Sequence, residues 1–215
     1  MFSVDAPVRR VFASCLIDEK GLVTNAGPTY IAIRSAKYDR STMDSDEIDF
    51  DRVVKMKESE RTARNHIGEI KPIIIMLVDR PDPLDHTRFP KTLLSAMRRF
   101  KRYNLDALIL VSQAPGQAQF NTVERRLAPL SHDLSGLVLP PSYFGTHLNI
   151  IGLTVDAELE KINAKRTGEL LADIWKMNMI DHHPVVVEYI DPPNSAHDIA
   201  IGIDTQFTLD CIIDQ

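Results

Sequence analysis

The feature that most constrains this chain is a pair of short apolar runs, IIIMLV at Ile73 to Val78 and DALILV at Asp106 to Val111, with one amphipathic stretch between them. Each run is too short for a typical helix and carries no alternation of polarity, so each reads as a strand buried on both faces. Between them FPKTLLSAMRRFKRY sets Leu93, Leu94, Met97 and Phe100 on one side of a helix. Arg98, Arg99, Lys101 and Arg102 fall mostly on another side, and Pro90 suits the first turn. Strand, helix and strand within about 40 residues form a parallel crossover unit, which places the chain in the α/β class.

The flanking sequence extends this frame. VFASCLI, Val11 to Ile17, and TYIAIR, Thr29 to Arg34, are β-rich and joined by DEKGLVTNAGP, so they predict two antiparallel strands. Residues 37–69 are charged and rich in Ser and Thr; they read as a surface excursion with a short helix around Phe50 to Met56. After SQAPGQAQF a helix should open at NTVERRLAPLSHDLSGL and break or restart at Pro129. An irregular connection, VLPPSYFGTHLNIIGLT, then leads into the longest helix, Val155 to about Met177, with Leu159, Ile162, Leu170, Ile174 and Trp175 toward the core. VVVEYI is a last β-like run, and residues 191–215 form a tail behind a domain of residues 1–190.

At 215 residues, 44% hydrophobic and 26% charged, the chain has material for one sizeable core. A net charge of −5 gives no bulk attraction to nucleic acid or anionic lipid, so such binding needs a local basic patch. Cys15 and Cys211 have neither metal-ligand nor redox spacing, which suits a reducing compartment. No apolar run is long enough to span a bilayer and the first residues lack the order of a signal peptide, so an intracellular location away from membrane is expected.

Two carboxylates stand where α/β sheets place their chemistry. Asp79 ends the first buried strand, and Glu124 lies in the first turn of the helix after the second. Acids meeting at the carboxyl edge of adjacent strands can hold Mg²⁺, and a two-metal site activates a nucleophile and stabilises the leaving oxygen in phosphoryl transfer. Each also has a plainer reading. Asn121 and Glu124 are spaced as a capping box, and DRPD after the strand is a turn.

FNTVERRLAPLSHDLSGLVLP, with APG before it, GPTYIAIRSAKY earlier and FGTHL after it, is similar to a group of transposon-derived eukaryotic proteins whose core looks like the ribonuclease H-like catalytic domain of DD(E/D) transposases and integrases. The resemblance runs from about Val11 to Glu188. It implies a mixed sheet with flanking helices, DNA as partner, a nuclear location and Mg²⁺ as cofactor, with Asp79 as second and Glu124 as third catalytic acid. The chain departs from that pattern at DRPDPLDH, where the family has glycines; Arg80 places a cation beside the presumed metal position. The first acid belongs on a strand upstream of VFASCLI, and only ten residues precede that run. The expectation is therefore a ribonuclease H-like domain lacking its first strand, a degenerate transposase without catalysis, able to self-associate through an exposed strand edge.

The alternative is a non-enzymatic DNA-binding or protein-interaction module on the same fold. Its DNA candidates are Arg98, Arg99, Lys101 and Arg102 with Arg125 and Arg126, interleaved with Phe100 and Tyr103, although such a run also suits the solvated face of a helix. DHH, Asp181 to His183, and SHD, Ser131 to Asp133, lack metal-ligand spacing and read as loops.

Overall fold

The computed structural model describes residues 7–39, 43–78, 90–112 and 126–192. The chain divides into two compact units. The first comprises residues 1–41, 52–63 and 121–192; the second comprises residues 42–51, 64–120 and 193–215.

The first unit is built on a mixed four-stranded sheet of order β1-β4-β8-β7, with β1 at Pro7–Ala13, β4 at Thr29–Ser35, β7 at Met179–Ile180 and β8 at His183–Tyr189. β1 and β4 are antiparallel, with Pro7 opposite Ser35 and Ala13 opposite Thr29, as the two β-rich runs predict. The expected strand through Ile17 is instead interrupted at Ser14 and Cys15. Its end, Leu16–Ile17 (β2), forms a separate small hairpin with Val23–Thr24 (β3). β4 holds the centre because β8 pairs with its other edge in parallel, Thr29 opposite Val185 and Ile33 opposite Tyr189. All seven β4 residues are buried. Ile31 and Ile33 join Val185, Val187, Leu171 and Trp175 in the main cluster, where each fully buried aliphatic side chain contributes about 2 kcal/mol. Among the described residues β1 is an outer strand of this sheet, where an edge-mediated association would apply.

One long helix, α5 at Ala157–Lys176, covers the sheet, and Asp156 caps it by accepting from the Leu159 N–H at 2.9 Å. Its buried stripe differs from the expected one. Of the five residues expected at the core only Trp175 is buried, whereas Ile162 is 52% exposed. The buried positions are Glu160, Asn163, Thr167, Gly168, Leu171, Ala172 and Trp175. They keep a helical period, but the first half of the stripe is polar, so a search for apolar spacing finds the core only at the end of the helix, where Trp175 joins the main cluster and Ile174 packs against it. A Cβ on Gly168 would collide with the Tyr189 ring, so the close seat of α5 on β8 requires glycine there.

The second unit contains the crossover. β5, Ile73–Val78, and β6, Ala107–Ser112, pair in parallel from Ile73 opposite Ala107 to Val78 opposite Ser112. α3, Pro90–Arg102, lies between them in sequence as expected. Burial of both strands on both faces is not observed. Ile73, Ile75, Leu77, Ile109 and Val111 are each between 42% and 59% exposed. Odd-numbered residues share one face by the strand's period of two, and an apolar run without alternation does not show whether that face is covered. The acidic excursion also proves more ordered than expected: α1, Met43–Lys55, is a helix of 13 residues. Short helical turns at Lys57–Ser59 and Glu60–Ala63 (α2) follow it. In the first unit α4, Ala128–Asp133, starts with Pro129 in its first turn, matching the expected restart.

Candidate functional site

The two carboxylates singled out from sequence, Asp79 and Glu124, lie outside the described residues, as does Arg125. Asp79 directly follows the last pair of the β5–β6 ribbon, Val78 opposite Ser112. Among the described residues no group of three or more His, Cys, Asp or Glu side chains is arranged to hold a metal ion.

The basic positions are described more fully, and two of them are interior. Arg99 is 3% exposed. Its Nη2 reaches Glu47 Oε1 at 2.6 Å and Asp46 Oδ2 at 3.1 Å, and its guanidinium stacks 4.2 Å from the centre of the Phe50 ring. Beside it Arg102 pairs with Asp51 at 3.0 Å, and the Tyr103 hydroxyl donates to the same carboxylate at 2.7 Å. Burial first, then this hydrogen bond, pushes the Tyr103 hydroxyl pKa well up. The acids of α1 thus neutralise part of the run that reads as a DNA patch. The helix turns Arg99 inward while Leu93 and Phe100 stay 54% and 39% exposed, so the expected division holds only in part: Leu94 and Met97 are half-buried and Lys101 and Arg102 exposed, as expected. Arg98 is half-buried and Lys101 exposed, and both have partners within the fold.

Arg126, 8% exposed, ties three chain segments of the first unit. Its Nε donates to Asp181 Oδ2 at 2.7 Å, its Nη1 to the Ser14 carbonyl at 3.1 Å, and its Nη2 to the Gly27 carbonyl. Gly27 must be small, since a Cβ there would come within 2.9 Å of the Ser14 carbonyl oxygen and 2.6 Å of Thr62 Cγ2. Asp181 and His182, in the tight connection between β7 and β8, have φ of 50° and 66°. SHD lies on α4 rather than in a loop. Cys15 sits 3.6 Å from Arg126 Nη1, and burial pushes its thiol pKa up despite that cation, away from nucleophilic use.

A further cluster of ionisable groups was not visible in the sequence. Glu160, 3% exposed, accepts from Lys37 Nζ at 2.6 Å, from Thr154 Oγ1 at 3.0 Å and from the Tyr38 hydroxyl. His147 Nε2 lies 3.7 Å from Glu160 Oε1, the oxygen that accepts from Thr154. Asn163 fixes that ring. Its Oδ1 accepts from the Phe144 N–H at 2.9 Å, so its Nδ2 faces the Gly145 carbonyl at 3.0 Å and His147 Nδ1 at 3.3 Å. Nδ1 then accepts, which puts the neutral ring's proton on Nε2, toward Glu160. A carboxylate, imidazole, ammonium and phenol in one place resemble acid–base machinery. Thr154 bonds Glu160, and residues 144, 145 and 147 bond Asn163, so the arrangement holds the segment 144–155 against α5.

Burial drives the Glu160 carboxyl pKa up, but the hydrogen bonds from Lys37, Tyr38 and Thr154 outweigh it and hold the pKa below its ordinary value. A depressed folded-state pKa contributes stability that is complete above the unfolded pKa and is lost as pH falls through the folded one. Glu160→Gln should therefore cost about 2 kcal/mol at neutral pH, in the range of hydrogen bonds to a charged group, and progressively less in acid. Urea titrations across that range check this; a cost independent of pH would contradict it.

Comparison with protein-family models, with curated proteins and with solved structures finds no match to this chain. No helix among the described residues is long and apolar enough to cross a membrane.

Proposed function

We propose that the chain is a degenerate transposase-derived domain, ribonuclease H-like in ancestry, that does not cleave DNA. The observation that carries the reading is the in-register parallel pairing of β5 and β6 around helix α3, with Asp79 the next residue after Val78. That is where a ribonuclease H-like domain carries a metal-binding acid, with Glu124 and Mg²⁺ as the companions the resemblance implies. The site is read as inactive because DRPD puts an arginine and a proline directly after Asp79 in sequence, where the resemblance implies glycines. The test is nicking of supercoiled DNA with and without Mg²⁺. No cleavage above background is expected; Mg²⁺-dependent cleavage abolished by Asp79→Ala would overturn the proposal.

A second reading, a non-catalytic module on the same fold, is favoured by the use of Arg99, Arg102 and Arg126 in internal ion pairs. Cations already neutralised release few counterions from DNA, so this supports a protein partner over a nucleic acid. Weak DNA binding with a shallow salt dependence is what it expects; a steep salt dependence would return DNA to first place.

A further inference from the structure

The register of the β5–β6 ribbon sets Ile73 beside Ala107, Ile75 beside Ile109 and Leu77 beside Val111. Side chains alternate along a strand, so these odd-numbered positions share one face and form one continuous patch three rungs long. Its five large residues are 42–59% exposed, whereas Ile74, Met76, Leu108 and Leu110 between them are half-buried. The even side has its cover: Met76 Sδ lies 2.7 Å from Nη1 of Arg99 on α3. Parallel strands are found with both faces covered, and a ribbon of two strands holds little by itself. The odd face therefore calls for a second layer.

The chain itself carries a segment patterned for that layer. In DIAIGIDTQFTLDCIID, Asp198 to Asp214, every Asp falls on an even position, whereas Ile199, Ile201, Ile203, Phe207, Leu209 and Ile213 fall on odd ones, together with Cys211. Ile212 is the one large apolar residue on the even side. A period of two held over that length puts one side of a β-segment on an apolar surface and the other in water. Four carboxylates on the even side fix which one faces water. The segment belongs to the same compact unit as the ribbon, although β8, the strand before it, belongs to the other.

Length fits as well. Residues 199–203 and 207–213 make runs of five and seven, against six residues in each ribbon strand. Asp204, Thr205 and Gln206 between them are a hairpin connection of ordinary length. Folded back there, the two runs set Ile203 against Phe207, Ile201 against Leu209 and Ile199 against Cys211. The odd positions then stay on one side, and the backbone groups that a single covering strand would leave bare bond to each other.

We propose that residues 198–214 form an amphipathic β-hairpin that covers the odd-numbered face of the β5–β6 ribbon in the same chain. Cys211, on the apolar side, is a built-in probe: alkylation of the full chain by iodoacetamide, read by peptide mass spectrometry, separates it from Cys15. In the native protein Cys211 is expected to react at least roughly tenfold slower than in urea, since reaction waits for local opening. Thr208→Cys, on the even side, should react at close to its rate in urea. Ile75→Asp and Ile109→Asp, on the ribbon's face, should each return Cys211 to within about twofold of its rate in urea, and Ile75→Ala should move it part of the way. Gln206→Asp should leave it unchanged. Amide exchange in α3 reads whether each ribbon variant keeps its fold; where Ile75→Asp does not, Ile75→Ala decides by the same comparison. Unprotected Cys211, or equal protection of Cys211 and Thr208→Cys, overturns the proposal. So does protection that survives the ribbon substitutions, which would seat the segment elsewhere. Protection lost on roughly hundredfold dilution overturns it too, because the cover would then come from a second copy.

Discussion

Arg126→Ala is expected to destabilise the first unit by about 3 kcal/mol, the lower end of the usual cost of removing one partner from a buried ion pair, because Asp181 is 36% exposed and can regain water. The guanidinium binds Asp181, the Ser14 carbonyl and the Gly27 carbonyl at once, and its removal leaves those acceptors without their donor. The loss would fall on three junctions together: the break between β1 and β2, the entry to β4, and the connection between β7 and β8. Arg126→Lys should recover little, because an ammonium is a point charge that cannot fork to three acceptors in fixed directions. Chemical denaturation measures both variants. A cost below about 1 kcal/mol for either, against the roughly 3 expected, would mean that the guanidinium is not the clamp described.

Arg99→Ala in the second unit should cost about 3 kcal/mol, the lower end of the same range, because Asp46 is 35% exposed and can regain water more readily than Glu47 at 15%. The contact with Phe50 is lost as well. Replacing both partners by apolar residues of similar volume, Arg99→Met with Glu47→Leu, should restore most of the loss, since no buried charge is then left unpaired. If Arg99→Ala instead retained stability and weakened DNA binding, the internal role given to this residue would fail.

These two arginines show how the sequence misleads about surface chemistry. RRFKRY and ERR are basic clusters in one dimension, and nothing in them tells which cation turns inward. That is decided by acids more than 50 positions away, Asp46 and Glu47 for Arg99 and Asp181 for Arg126. The polar stripe of α5 misleads in the same way. Glu160, Asn163 and Thr167 carry the helical period, but polar residues at that period read as a solvated face until Lys37, Tyr38, His147 and the 140–147 backbone are set against them.

The sequence by itself determined the local elements whose cause is local. These include the antiparallel β1 and β4, the parallel crossover of β5, α3 and β6, the restart of the chain at Pro129 and the burial of Trp175. Periodicity, turn chemistry and proline geometry act over a few residues and leave their marks there. Only the tertiary structure decided that β8 pairs with the far edge of β4, that one face of β5 and β6 stands open, and that a buried arginine is paired inside each unit. Pairing partners and counter-charges come from distant parts of the chain, and a buried polar group becomes favourable only when its partner arrives.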